Sequence, residues 1–85
     1  MFDKLKQLKQ IKDLQDALKN EKAEVEKEGI RVSVNGKMEI ESIELNPGLD
    51  KESQERIVRE CVNEALKKVQ MIAAQKLYHM KGLNL

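Results

Sequence analysis

The chain has 85 residues, a formal charge of +1, 36% charged residues and 2% aromatic ones. A domain of that size buries about 60–65% of the surface its unfolded form exposes, so a lone copy is only marginally stable and dimerisation is favoured on energetic grounds. A single cysteine, Cys61, excludes an internal disulfide, and a single histidine, His79, leaves any zinc site within one chain short of ligands; no apolar run nears the roughly 18 residues of a membrane span.

From Asp3 to about Lys27 there is neither Gly nor Pro, and strong helix formers dominate, so a first helix is expected over about 3–27. Its apolar residues Leu5, Leu8, Ile11 and Leu14 advance in steps of three, so their stripe drifts around the helix, whereas Leu14, Leu18 and Val25 share one face. The drifting part implies contact with a second subunit or a partner. Gly29 stops the helix. Ile30, Val32 and Val34 then alternate with polar residues as a half-buried strand does, and Asn35-Gly36 turns the chain into a hairpin over about 30–45.

A three-residue loop with Gly36 in the left-handed region pairs Val32 with Met38 and Ile30 with Ile40, keeping apolar side chains on one face. In the second strand the phase slips, because Met38 and Ile40 are even and Ile43 and Leu45 odd. Either a bulge lies near Glu41-Ser42 or a second subunit covers the other face. Asn46-Pro47-Gly48 is a turn and Asp50 caps a second helix, with Leu49 before it as a hydrophobic staple. That helix is expected over about 50–81. Its core face carries Val58, Val62, Ala65, Val69 and Ile72, widened by Cys61, Leu66, Ala73, Leu77 and Met80, and Gly82 ends it. The pattern is a single α+β domain, 1–85, in the order α-β-β-α.

The residues Val32-x-Val34-Asn35-Gly36-Lys37, then Ile43-Glu44-Leu45-Asn46-Pro47-x-Leu49, then Val62-Asn63-x-Ala65-x-x-Lys68, following a Met-Phe start and a Lys/Gln/Leu helix, resemble the YbaB/EbfC family of bacterial nucleoid-associated proteins. The resemblance implies a homodimer with a shared antiparallel sheet and helices projecting like tweezers, which binds double-stranded DNA with limited sequence preference. Two departures stand out. The family usually has a Gly/Ser-rich segment and another strand before the Val-x-Val-Asn-Gly strand, where this chain runs almost directly from Glu26 to Ile30, and it often has Asp where this chain has Asn46.

The near-neutral total hides a segregation of charge. Residues 1–12 carry Lys4, Lys6, Lys9 and Lys12 against Asp3, a net +3; residues 13–64 carry eight bases against fourteen acids, a net −6; and residues 65–85 carry Lys67, Lys68, Lys76 and Lys81 with no acid, a net +4. A helix, a hairpin and a returning helix bring both basic segments to one pole, a footprint for phosphates. Lysines near the start of a helix oppose its dipole, so folding does not account for Lys4, Lys6 and Lys9, whereas an external anion does.

The expected partner is therefore double-stranded DNA, held through those eight lysines by the phosphate backbone. Arg31, Arg56 and Arg59 lie outside the basic segments, which removes the bidentate arginine–guanine contact there, and only Phe2 and Tyr78 offer faces for stacking on single strands. Leu5, Leu8, Ile11, Met38, Ile40, Ile43 and Leu45 are the candidate dimer interface. Neither an enzyme, a metal site, a cofactor nor a small-molecule substrate is expected, nor a membrane partner. The start Met-Phe-Asp-Lys lacks the apolar core of a signal peptide, so the expected location is the cytoplasm, on the nucleoid. A different class of reading makes the chain a protein–protein adaptor or coiled-coil-like module that receives a partner helix on the apolar stripe of the first helix.

Overall fold

The Lys/Gln/Leu sequence winds into a helix, but it stops nine residues sooner than its propensities suggest. In the computed structural model, which describes residues 2–80 and the side chains of residues 6–79, α1 is Phe2–Leu18, β1 Lys22–Lys27, β2 Ile30–Asn35, β3 Ile40–Glu44 and α2 Lys51–Met80. The order is α-β-β-β-α, with one antiparallel sheet in the order β1-β2-β3. The α+β class holds. The helix expected over about 3–27 is corrected to α1 plus an additional strand, the one the family resemblance implies.

Residues 22–27 become a strand because of what covers them. Ala23 and Val25 are buried beneath α2, while Lys22, Glu24 and Glu26 point to the opposite, open face. Glu28 and Gly29 both have positive φ, 48° and 83°, and join Lys27 to its partner Ile30 in the two-residue, I′-like turn that suits the twist of a hairpin. Glutamate is a poor residue for the left-handed region. Glu28→Asn is expected to stabilise the fold by up to about 1 kcal/mol, read as a higher urea midpoint with unchanged slope.

The second loop departs from the expected register. Asn35 N–H donates to the Glu39 carbonyl at 2.9 Å and Met38 N–H to the Asn35 carbonyl at 2.9 Å, so Gly36, Lys37 and Met38 form the loop and the positive φ, 65°, falls on Met38. Val34 then pairs with Ile40 and Val32 with Ile43, in place of the expected Val32–Met38 and Ile30–Ile40 pairs. Gly36 serves another purpose. A Cβ there would collide with the Leu18 carbonyl oxygen, so its bareness lets the end of α1 rest on the loop. Glu41 is the extra residue of a bulge between Ile40 and Ser42, the first of the two explanations for the slipped phase.

α2 packs on β1 and β2 with Ile57, Cys61, Ala65 and Val69, which close the core over Ala23, Val25, Ile30, Val32 and Val34. Burial pushes the Cys61 thiol pKa up, and its Sγ lies 4.0 Å from the Ile30 carbonyl oxygen, as expected of a packing residue. Asp50 caps the helix by accepting the Ser53 N–H at 3.1 Å, and Leu49 packs against the core. Asn46 ties this corner together. Its Nδ2 donates to the Glu28 carbonyl at 2.8 Å, its Oδ1 accepts the Gly48 N–H at 3.0 Å, and its own N–H donates to Gln54 Oε1 at 2.8 Å. An aspartate there has no side-chain N–H to give Glu28. Gly82 lies outside the described residues.

Candidate nucleic-acid interface

Both helices leave the sheet at the same end. Leu18, at the close of α1, borders Gly36, Lys37 and Met38 of the second loop and Ala73 of α2, and Lys76 Nζ meets Glu21 Oε1 at 3.1 Å just beyond. From that root α1 runs back along α2, and the molecule is a rod of 56 × 19 × 18 Å. Burial fades outward along both helices. Leu18 is buried, Leu14 and Ala17 half-buried, and Ile11 and Leu8 are 54% and 63% exposed, while on α2 Val69 is buried, Ala73 half-buried and Leu77 exposed.

The eight candidate lysines divide into three groups. Lys6, Lys9 and Lys12 are exposed along α1 and make no ion pair among the described residues; the side chain of Lys4 and the whole of Lys81 lie outside them. Lys67 and Lys68 sit beside the sheet, not at the tip. Lys67 borders an open groove with Lys27, Glu60, Asn63 and Glu64, and Lys68 borders another with Lys22, Glu24 and Gln75. Lys76 is half-buried and engaged with Glu21, so it fastens α2 to the start of the sheet. That pairing has no sequence signal, because Glu21 falls inside the longer helix expected there.

Acidic residues pair with bases on both sides of the sheet. Arg31 on β2 reaches Glu26 on β1 at 2.9 Å and Glu44 on β3 at 3.7 Å, and its pKa is raised, first by its hydrogen bond to Glu26. Lys22 meets Glu41 at 3.3 Å across the same open face. On the α2 side, Lys27 Nζ lies 2.9 Å from Glu64 Oε2, an oxygen shielded from solvent with no other partner among the described residues. That bond lowers the Glu64 pKa and raises that of Lys27, and the Ser53 hydrogen bonds lower that of Asp50. Carboxylates with lowered values support the fold fully above their unfolded-state pKa and lose that support as pH falls through the folded value. The urea midpoint is therefore expected to drop on acidification below about pH 4, with a smaller drop in Lys27→Met.

Four of the candidate dimer residues lie on or beside β3. Met38, Ile40, Ile43 and Leu45 are exposed, because α2 covers β1 and β2 and stops short of β3. Pairing with Val32 and Val34 places Ile43 and Ile40 on the same face as α2, where Leu45, Val58 and Arg59 border an open groove of about 400 Å³. Val62 and Leu66, half-buried, continue the row from Val58 along α2. Leu8 and Ile11 extend apolar exposure along α1, and the side chain of Leu5 lies outside the described residues.

A model of the YbaB/EbfC DNA-binding family matches residues 1–83. The chain belongs to the YbaB/EbfC DNA-binding family. A nucleoid-associated protein of Caldicellulosiruptor saccharolyticus is 35% identical over 57 residues, covering 62% of this chain and 50% of that protein, so the match spans about half the length of the relative. No solved structure matches the chain. The YbaB/EbfC family is one of DNA-binding proteins, not enzymes. Among the described residues of this member, no cluster of three His, Cys, Asp or Glu is placed to hold a metal, and no helix is long and apolar enough to cross a membrane.

Proposed function

We propose that this chain is a nucleoid-associated protein that binds double-stranded DNA as a homodimer, mainly through phosphate contacts from its projecting helices and with little sequence preference. The observation that carries the reading is the arm itself: Lys6, Lys9 and Lys12 stand exposed on α1, which projects alongside the acid-free part of α2. Each lysine that neutralises a phosphate releases a counterion, so affinity falls steeply as salt rises. Gel shifts across a salt series test the reading. Absence of binding at low salt, or binding indifferent to salt, removes it.

The dimer part of the proposal rests on the open apolar side of β3. α2 leaves the β3 part of its own face of the sheet uncovered, an apolar surface that a second copy would bury. Sedimentation is expected to give a dimer, and Ile43→Asp to return it to monomer by placing a charge in the buried face. The same contact would double the basic arms, and binding to DNA would hold the protein on the nucleoid.

One observation favours a second reading. Leu8 and Ile11 are largely exposed on the single chain, as a helix awaiting a partner helix would leave them. If the dimer covers them, DNA binding is the fuller account; if labelling shows them accessible in the dimer, a protein adaptor that uses this stripe becomes the better one.

A further inference from the structure

Two large side chains on the outer part of α2 stand largely exposed. Met71 is 64% exposed and Tyr78 58%, although α2 is otherwise buried by a row on its opposite side. They are seven residues apart, so they lie within about 20° of one another around the helix and about 10 Å apart along it. Lys67 precedes them on the same stripe. Lys68, Gln75 and His79 flank it, and the His79 ring meets Tyr78 edge-on with centroids 5.9 Å apart. Residues 65–80 contain no acid, and the carboxylates nearest the stripe are Glu24, across the groove beside Lys68, and Glu60 and Glu64 beside Lys67. The arc is cationic at its inner end and apolar with one amide further out.

We infer that this face of α2 enters the major groove of DNA, with Lys67 and Lys68 on phosphates and Met71, Gln75 and Tyr78 against base edges. The inference rests on the DNA-binding reading and deepens it by adding a component that does not depend on salt. A helix about 10–12 Å across fits a groove about 12 Å wide. The stripe is flanked by Lys68, Gln75 and His79 on one side and by Ala74 and, further round, Leu77 on the other, so the lysines at its inner end bear on the choice of partner. Charge complementarity selects a polyanion. Within the groove, apolar side chains meet the thymine methyl, and glutamine offers a donor and an acceptor to adenine. The face thus gives a modest preference for A·T over G·C pairs, superimposed on non-specific phosphate binding.

The test separates intercept from slope. Affinity of the full chain for a duplex is measured between about 50 and 200 mM salt, for the unchanged protein, for Met71→Ala with Tyr78→Ala, and for Lys67→Gln with Lys68→Gln. Alanine favours helix and both sites are exposed, so the fold is retained, and circular dichroism checks this. The Met71/Tyr78 pair is expected to lose about tenfold in affinity at every salt with the slope unchanged, while the lysine pair lowers the slope by about 1.8 per subunit. Gln75→Ala is expected to reduce the ratio of A·T-rich to G·C-rich affinity. Undiminished affinity in the Met71/Tyr78 variant, with the lysine effect intact, overturns the groove contact and leaves the phosphate reading standing. A loss of dimer in that variant also overturns it, by giving the face to a second copy. If the unchanged protein does not bind DNA at any salt, the DNA-binding reading itself fails.

Discussion

Charge reversal of Lys6, Lys9 and Lys12 together is expected to abolish DNA binding at moderate salt, with a loss of at least about a hundredfold. Neutralisation of the same three with glutamine isolates the cause. If each lysine occupies one phosphate, the salt dependence of affinity should flatten by about 2.7 per subunit, which is about 0.9 for each phosphate left unneutralised. The proper control is reversal of Lys19 and Lys37, both exposed and without an ion pair among the described residues, compared per charge reversed. Lys27 is unsuitable for that control, because it holds the shielded Glu64 oxygen and its reversal would damage the fold directly. Equal losses from the two sets, measured by fluorescence anisotropy on one duplex, would show that net charge and not the arm governs binding.

Gly36→Ala is expected to lower the free energy of unfolding by about 3 kcal/mol, the upper range for forced overpacking. The new methyl would have to displace the Leu18 carbonyl, and Leu18 cannot retreat without taking the last turn of α1 with it. Gly48→Ala makes the comparison, since its added carbon meets only the Asn46 side-chain oxygen at 3.3 Å. Urea titration followed by circular dichroism reads both. A Gly36 variant as stable as the Gly48 one would mean that α1 is not seated on the loop. The expected defect has a second signature, because an unseated α1 carries its lysines out of position and weakens DNA binding even where the protein remains folded.

Much of this architecture is legible in the residues, and where the reading fails there are local reasons. α2 announces itself by a cap at Asp50 and by thirty residues without glycine or proline, and the strands around Asn35-Gly36 announce themselves by alternation. β1 does not. Lys-Ala-Glu-Val-Glu-Lys consists largely of good helix formers, and six residues are too few for period alone to separate strand from helix. What decides is tertiary: α2 needs Ala23 and Val25 beneath it. The Glu28-Gly29 turn offers a local hint, weakened because glutamate rarely occupies the left-handed region. The register of the second hairpin misleads for a similar reason. Gly36 looks like a residue chosen for its φ, and nothing local reveals that the end of α1 presses against it.

The candidate site is readable as charge but not as placement. Counting lysines groups Lys67, Lys68 and Lys76 with the tip, and the fold sets the first two beside the sheet and engages the third with Glu21. Met71 and Tyr78 pass as ordinary helix surface, because exposure is a property of the packed chain and not of its composition.

Where the two helices part from the sheet, packing thins. α2 is clamped along its first half by the core and at its start by the Asn46 knot, whereas its last ten or so residues are braced by α1 and by the Lys76–Glu21 pair. The arm is a cantilever. A swing of only about 10° at the root, over about 15 Å of projecting helix, carries the tip roughly 3 Å, close to one base-pair rise, at almost no expense to the packed body. On the proposed mode of binding, such a lever would follow a curved or a straight duplex, so tolerance of DNA shape would come from where the helices leave the sheet.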